Sequence, residues 1–148
     1  MKILAVAVLS FAGLSLARAQ PAAADTAPSP RDQHAAECVA ALEVATESMA
    51  AQVKAGQDNM RGPLLDRLIA GTAFVGDTYL HGNSDEQQAR ALANRALEAQ
   101  KRLPAPELAA RQAACAAEGT RLYDDSNGLE KAVVRRLAKK RMDKLLGA

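Results

Sequence analysis

The chain has 148 residues and a formal net charge of +2; nearly half of its residues are hydrophobic, but only 3% are aromatic. Two basic residues, Lys2 and Arg18, lie in the first 19 positions, so the remainder has 17 basic and 17 acidic side chains and is formally neutral. The length fits one ordinary domain. The absence of a net positive charge disfavours a general nucleic-acid binder. Val and Ile are too sparse, and alternate too poorly with polar residues, to favour a β-sheet.

Residues 1–19 have the organisation of a secretory signal peptide. A single positive residue, Lys2, precedes an apolar or small run over residues 3–16, and Ala17-Arg18-Ala19 has the form of a cleavage site. We therefore expect cleavage between Ala19 and Gln20 and a periplasmic or secreted location. The run is short for a bilayer span, and later apolar stretches are interrupted by charges. We expect no transmembrane segment in the mature form.

Residues 20–28 are predicted to be a flexible leader that precedes a helical domain over residues 29–148. The leader has two prolines and no large apolar side chain, so it lacks the surface needed to offset the entropy of ordering. Helix one is predicted to begin at Ser29, a favourable N-cap that is followed by Pro30 at the first helical position. It is predicted to end at Gly56.

Helix two is predicted between two glycine signals. Gly62-Pro63 opens it and Gly82 ends it, with apolar residues at helical spacing between them. Gly71 and Gly76 lie inside this helix, where glycine lowers stability relative to alanine. Their presence suggests close packing or a kink.

Helices three to five are bounded by clear breaks. Ser84 begins a capping box that starts helix three, and the prolines at positions 104 and 106 end that helix and start helix four. A turn over residues 124–128 separates helix four from helix five, residues 129–146. Five helices joined by short loops predict an all-α fold, a small antiparallel bundle of four to five helices.

The two cysteines, Cys38 and Cys115, both fall on the apolar stripes of their predicted helices. In an exported protein, such a pair predicts a disulfide that staples the bundle. The alternative is a metal site. His34 is four residues before Cys38 and Glu118 is three after Cys115, so antiparallel helices would bring nitrogen, sulfur and oxygen ligands together. That alternative requires reduced thiols.

Two other residue sets partly resemble a catalytic site or a calcium site, but neither has the complete pattern. Asp77 and His81 are four residues apart, as an acid-oriented general base requires, but no nucleophile lies beside them and an ordinary i,i+4 pair explains them. Residues 124–128 resemble part of a calcium loop yet lack its ligand spacing and closing glutamate. The sequence therefore predicts no enzyme activity, no cofactor and no resident metal.

Helix five, residues 129–146, is predicted to be a basic amphipathic C-terminal helix. Residues 130–148 have seven basic and two acidic side chains, whereas residues 20–129 have ten basic and fifteen acidic ones. One side of the helix has Leu129, Val133, Leu137, Ala138, Met142 and Leu145. Two interpretations stay open: this stripe packs on the core with the lysines solvated, or the helix binds an anionic membrane surface or an acidic partner.

The function expected from these observations is that of an exported, non-enzymatic helical protein that binds another protein or the envelope surface. Its contact residues are expected to be Arg135, Arg136, Lys139 and Lys140. The alternative is a metal- or small-ligand-binding helical bundle.

Overall fold

The computed structural model describes residues 27–82 and 85–147, and every regular element within them is helical. The predicted signal peptide and residues 20–26 of the predicted leader lie outside the described residues and stay predictions. A 3₁₀ turn, Asp58–Met60, follows the first of the five α-helices, which are α1 (Pro30–Lys54), α2 (Arg61–His81), α3 (Glu86–Lys101), α4 (Ala105–Asp125) and α5 (Gly128–Leu146). This architecture confirms the predicted all-α bundle.

Side-chain caps set where helices begin. The Ser29 hydroxyl accepts a hydrogen bond from the Asp32 amide at 3.1 Å and caps α1 as predicted. The cap of α3 is Asp85, whose carboxylate accepts from the Gln88 amide at 2.8 Å. The predicted cap, Ser84, lies outside the described residues. The helix begins one residue later than predicted because the aspartate is itself a strong N-cap.

The antiparallel pair α1 and α2 lies at the centre of the bundle. Arg31 at the start of α1 contacts Asp77 near the end of α2, and the two helices pack along their length. α4 packs against both of them and is joined to α1 by the disulfide between Cys38 and Cys115. α3 packs on α1, and α5 packs mainly on α2. The predicted disulfide is therefore confirmed.

The buried side chains form two separate cores. The first lies between α1, the second half of α2 and α4; we call it the disulfide core, and it consists of Ala35, Cys38, Leu42, Ala70, Phe74 and Cys115. The second lies where the end of α1 and the start of α2 meet α5; we call it the terminal core, and it consists of Ala50, Val53, Leu64, Leu68 and Ala138. Both α1 and α2 contribute to each core and so connect them.

A close approach of α4 to α2 requires glycine at position 119. A Cβ at this buried position would lie 2.6 Å from the Ala70 carbonyl oxygen and 2.9 Å from the Ala70 Cβ. At Gly71 the nearest atom belongs to Leu42 at 3.9 Å, and at Gly76 no described atom lies within 4 Å. Of the two explanations left open for Gly71 and Gly76, unusually close packing is therefore not found at either position. It occurs at Gly119, on the helix that packs against α2.

The face of α5 that packs on the bundle differs from the predicted stripe. Val134 and Ala138 are buried, whereas Leu129, Val133 and Leu137 are 77%, 49% and 51% exposed. Successive residues on a helix are rotated by about 100°, so the buried residues Val134 and Ala138 face a different direction from Val133 and Leu137, which precede them by one position. Of the two interpretations that the sequence left open, packing of the stripe on the core therefore does not hold for Leu129, Val133 and Leu137. Ala138, Met142 and Leu145 do belong to the terminal core or pack against it.

Candidate functional site

The basic residues of α5 line an open groove on the outside of the bundle. The groove has a volume of about 800 Å³ and runs along α5 beside the end of α4. Its lining residues are Tyr123, Gly128, Lys131, Ala132, Arg135, Arg136, Lys139, Lys140 and Asp143. All four residues that the sequence suggested as contacts therefore line one groove, together with Lys131.

This groove forms because α5 is anchored by its opposite side. Val134 and Ala138 are buried against the bundle. Residues one or two positions from them, such as Arg135, Arg136 and Lys140, are rotated away from the buried side and face outward. The α5 start is fixed by a capping box, in which Asn127 accepts from the Glu130 amide and the Glu130 carboxylate accepts from the Asn127 amide. The orientation of the basic residues thus follows from the buried contacts and the cap.

Tyr123 holds two of the five groove cations in place. Its hydroxyl accepts a hydrogen bond from the Arg135 guanidinium at 2.9 Å, and the Lys131 ammonium lies 5.9 Å from its ring centre. Lys131 also donates to the Asp124 carbonyl at 2.7 Å. The contact between the Lys131 ammonium and the Tyr123 ring is a cation–π interaction. Sequence reasoning missed Tyr123, because the contact joins two helices and has no signature in the spacing of residues.

The other three groove cations are unpaired. Within residues 27–82 and 85–147, Arg136, Lys139 and Lys140 form no hydrogen bond or ion pair, although the acidic residue Asp143 also lines the groove. By contrast, Arg141 on the same helix is paired with Glu43 of α1 at 2.7 Å. Unpaired positive charges on one side of a helix create a local field that attracts anions.

An exposed aliphatic stripe lies next to the basic groove. Leu129, Val133 and Leu137 follow one another at four-residue spacing, and each has about half or more of its surface exposed. Four-residue spacing places them on one side of α5. A contiguous apolar surface bordered by charge is typical of a protein or membrane contact rather than of a bare solvent face.

A second polar cluster lies beside the disulfide. The His34 Nε2 atom is 2.9 Å from the Glu118 carboxylate and 3.9 Å from the Cys38 sulfur. The His34 ring also meets Phe74 edge-on, with ring centres 6.2 Å apart. The structure thus brings together the residues of the alternative metal site. In the disulfide-bonded state, however, Cys38 and Cys115 are bonded to each other and neither provides a thiolate.

The Asp77 and His81 pair is part of an ion-pair network. The His81 Nδ1 atom lies 3.2 Å from the Asp77 carboxylate. The same carboxylate accepts bidentate hydrogen bonds from the Arg31 guanidinium at 2.7 to 3.1 Å. Among the described residues, no hydroxyl or thiol joins this network. The sequence could not reveal Arg31 as a member because it lies 46 positions from Asp77.

The turn between α4 and α5 acts as a helix cap. The Asn127 side-chain oxygen accepts from the amides of both Leu129 and Glu130 at 3.0 Å. That oxygen would be a ligand in a calcium loop, but here it satisfies the free amides of the α5 N-terminus. The turn interpretation therefore explains this segment without an ion.

A third region is a smaller groove between α1, α3 and α4. It has a volume of about 290 Å³ and includes Glu37 and Arg111, whose charged groups are 3.8 Å apart. Gln100 also lines it, is fully buried, and has no hydrogen-bond partner for its amide among the described residues. A buried unpaired amide lowers stability.

No protein-family model, curated protein or solved structure was found to match this chain. Within residues 27–82 and 85–147, no helix combines the length and the apolar character that a membrane span requires.

Proposed function

We propose that this is an exported, non-enzymatic binding protein that uses the outer face of α5 to bind an acidic segment of another protein. The proposal rests on one observation: five cations line a single groove on α5, and three of them, Arg136, Lys139 and Lys140, have no partner among the described residues. Like charges that are clustered on one surface create a local field that favours an anionic partner.

An acidic peptide fits this surface better than a lipid headgroup layer does. The groove is lined almost entirely by α5, with Tyr123 of α4 at one end, and it contains the Asp143 carboxylate, which would repel a continuous layer of phosphates. The exposed apolar residues beside it are aliphatic, and the groove's one aromatic residue, Tyr123, is engaged with Arg135. Membrane-surface helices place Trp, Phe or Leu on their apolar face, and of these three the exposed stripe of α5 has only Leu.

Export is supported by two features of different kinds. Residues 1–19 have the pattern of a signal peptide. The disulfide between Cys38 and Cys115 is of a type that persists in oxidising compartments and is rare in the cytosol. Both features favour an acidic partner outside the cytosol, in the periplasm or beyond it.

The proposal can be tested by reversing the three unpaired charges together. We expect Arg136→Glu, Lys139→Glu and Lys140→Glu in one protein to weaken binding of a fluorescent poly-glutamate peptide by about tenfold or more, which is the combined effect expected of three modest surface charges. Binding would be followed by fluorescence anisotropy. Since the peptide is held by charge, its affinity for the unaltered protein should fall as salt is raised.

A matched control variant has the same change in net charge at other sites. Lys54, Arg102 and Arg121 are all exposed and have no hydrogen bond or ion pair among the described residues. Reversing these three to glutamate should leave peptide binding within about twofold of the unaltered protein, because none of the three lines the groove. Equal loss in both variants would show a response to net charge alone and would contradict the proposal.

The membrane alternative is an outcome of the same experiment. Binding of the unaltered protein to vesicles of phosphatidylglycerol and phosphatidylcholine would be measured in parallel with its binding to the peptide. Binding to vesicles without binding to the peptide would replace the protein partner with a lipid surface. In that case, changing Val133 and Leu137 to serine should release the protein from vesicles, since both side chains are half exposed beside the groove.

A further inference from the structure

The polar cluster beside the disulfide brings together four residues of metal-ligating types from two helices. His34 and Cys38 are on α1, and Cys115 and Glu118 are on α4. One ligand atom from each of His34, Cys38 and Glu118 lies within 4.8 Å of the others. Cys115 is bonded to Cys38 and so adjoins the same cluster. The cluster lies apart from the α5 groove and shares no residue with it.

The separations among the His34, Cys38 and Glu118 ligand atoms are close to those around a tetrahedral ion, and the Cys115 sulfur would join them once the disulfide opens and the two sulfurs move apart. Zinc bonds of about 2.0 to 2.3 Å place neighbouring ligand atoms roughly 3.3 to 3.8 Å apart. The His34 nitrogen is 3.9 Å from the Cys38 sulfur and 2.9 Å from a Glu118 oxygen. One distance needs to shorten slightly and the other to lengthen by less than about 1 Å, which side-chain rotation provides.

Solvent can reach this cluster from one side. The side chain of His34 is 55% exposed and that of Glu118 is 36% exposed, whereas Cys38 and Cys115 are buried in the disulfide core. An ion could therefore enter past the nitrogen and oxygen ligands and meet the sulfur ligands behind them. Phe74, packed against the edge of the His34 ring, limits the orientations of that ring.

We propose that the reduced form of this protein binds one zinc-like divalent ion through His34, Cys38, Cys115 and Glu118, and that formation of the disulfide abolishes the site. Two sulfurs, one imidazole nitrogen and one carboxylate oxygen form a closed tetrahedral set typical of zinc. The disulfide and the metal are then alternative ways to join α1 to α4 at the same place.

Reduction of the disulfide followed by metal binding converts the disulfide-bonded form to the metal-bound form. A dithiol reductant transfers two electrons to the Cys38–Cys115 bond, gives two thiols in the protein and becomes a disulfide itself. A divalent ion then displaces the two thiol protons and bonds both thiolates. In the reverse direction, a disulfide oxidant removes two electrons from the thiolates and releases the ion. A newly made chain has its thiols reduced in the cytosol, so metal binding and oxidation compete for the same pair.

The test uses the full chain, reduced with a phosphine that is then removed without oxygen, and Co²⁺ as a spectroscopic substitute for Zn²⁺. We expect one equivalent of Co²⁺ to give thiolate charge-transfer absorption in the near ultraviolet and tetrahedral absorption in the visible, and Zn²⁺ to remove both. The disulfide-bonded protein should give neither. Far-ultraviolet circular dichroism would confirm that the reduced protein stays helical.

A matched pair of histidine variants identifies the ligands. His34→Ala should weaken Co²⁺ binding at least about tenfold, because loss of even an outer-shell partner of a metal ligand has an effect of that size. His81→Ala is the control: His81 has nearly the same exposure and also lies near a carboxylate, but no sulfur adjoins it. Glu118→Gln, a conservative change, should weaken binding and alter the visible spectrum.

Three results would overturn the proposal. The first is unchanged Co²⁺ affinity and spectrum in both His34→Ala and Glu118→Gln, since the thiolates alone would then hold the ion. The second is equal binding by the reduced and the disulfide-bonded protein. The third is a reduced protein that loses its helical signal and does not regain it with Zn²⁺. None of these results bears on the α5 groove, whose residues are separate.

Discussion

The disulfide core and the terminal core stabilise the two halves of this bundle by different means. In the disulfide core, a covalent bond joins α1 to α4, and Gly119 lets α4 approach the α2 backbone closely. In the terminal core, α5 is held by aliphatic contacts around Leu64 and Leu68 and by the Arg141–Glu43 ion pair. One half is therefore covalently closed and tightly packed, and the other is held by noncovalent contacts alone.

This difference matters because the proposed binding surface lies on the less restrained half. The groove cations and the exposed aliphatic stripe are on the outer side of the same helix whose inner side completes the terminal core. Regions held by fewer restraints open locally at lower free energy than the rest of a fold. We infer that α5 can adjust to a partner without disturbing α1, α2 and α4 around the disulfide.

The largest expected effect comes from opening the disulfide. The two cysteines are 77 positions apart, so loss of the loop constraint should lower the free energy of unfolding by up to about 4 kcal/mol. Urea unfolding with and without a phosphine reductant would measure this change. Hydrogen exchange should show greater loss of protection in α4 than in α5. Equal loss in both helices would mean that the two cores unfold as a single unit.

A smaller effect should follow from truncating one matched leucine in each core. Leu42 in the disulfide core and Leu64 in the terminal core are both buried, with 1% and 0% exposure. Replacing either with alanine should lower stability by about 3 kcal/mol, within the usual range for a buried leucine. Only Leu64→Ala should speed hydrogen exchange of the α5 amides at low denaturant. If Leu42→Ala speeds it as much, the terminal core is not independent.

The smallest effects concern two glycines that differ in their surroundings. Gly119→Ala places a methyl group against the Ala70 backbone and should lower the free energy of unfolding by about 2 kcal/mol, as overpacking does. Gly76→Ala meets no described atom within 4 Å and should raise stability by up to about 1 kcal/mol through helix propensity. Thermal unfolding of both variants would compare them. A stabilising Gly119→Ala would show that α4 has room to move away from α2.

The sequence predicted the features that depend on local pattern or on compartment. Ser29 and Pro30 mark the start of α1 because capping is decided by neighbouring residues. The disulfide was predicted because an export signal and two inward cysteines leave few alternatives. The five helices follow from apolar spacing and from glycine and proline breaks.

The orientation of α5 and the members of the ion-pair networks needed the tertiary structure. Val133 and Val134 are adjacent and equally apolar, so the sequence offers little contrast to decide which one faces inward. The decision comes from Leu64 and Leu68 on α2, which pack with Ala138 in one core. Contacts such as that between Arg31 and Asp77 join distant positions and leave no trace in local spacing.

The contact between Tyr123 and the groove cations gives this protein a built-in optical reporter. The chain has no tryptophan and two tyrosines, of which Tyr79 is 89% exposed and does not line the groove. Replacing Tyr79 with phenylalanine would leave Tyr123 as the single ultraviolet fluorophore, in contact with Lys131 and Arg135. Its emission should then respond to any molecule that draws those cations away, so occupancy of the groove becomes visible without a label.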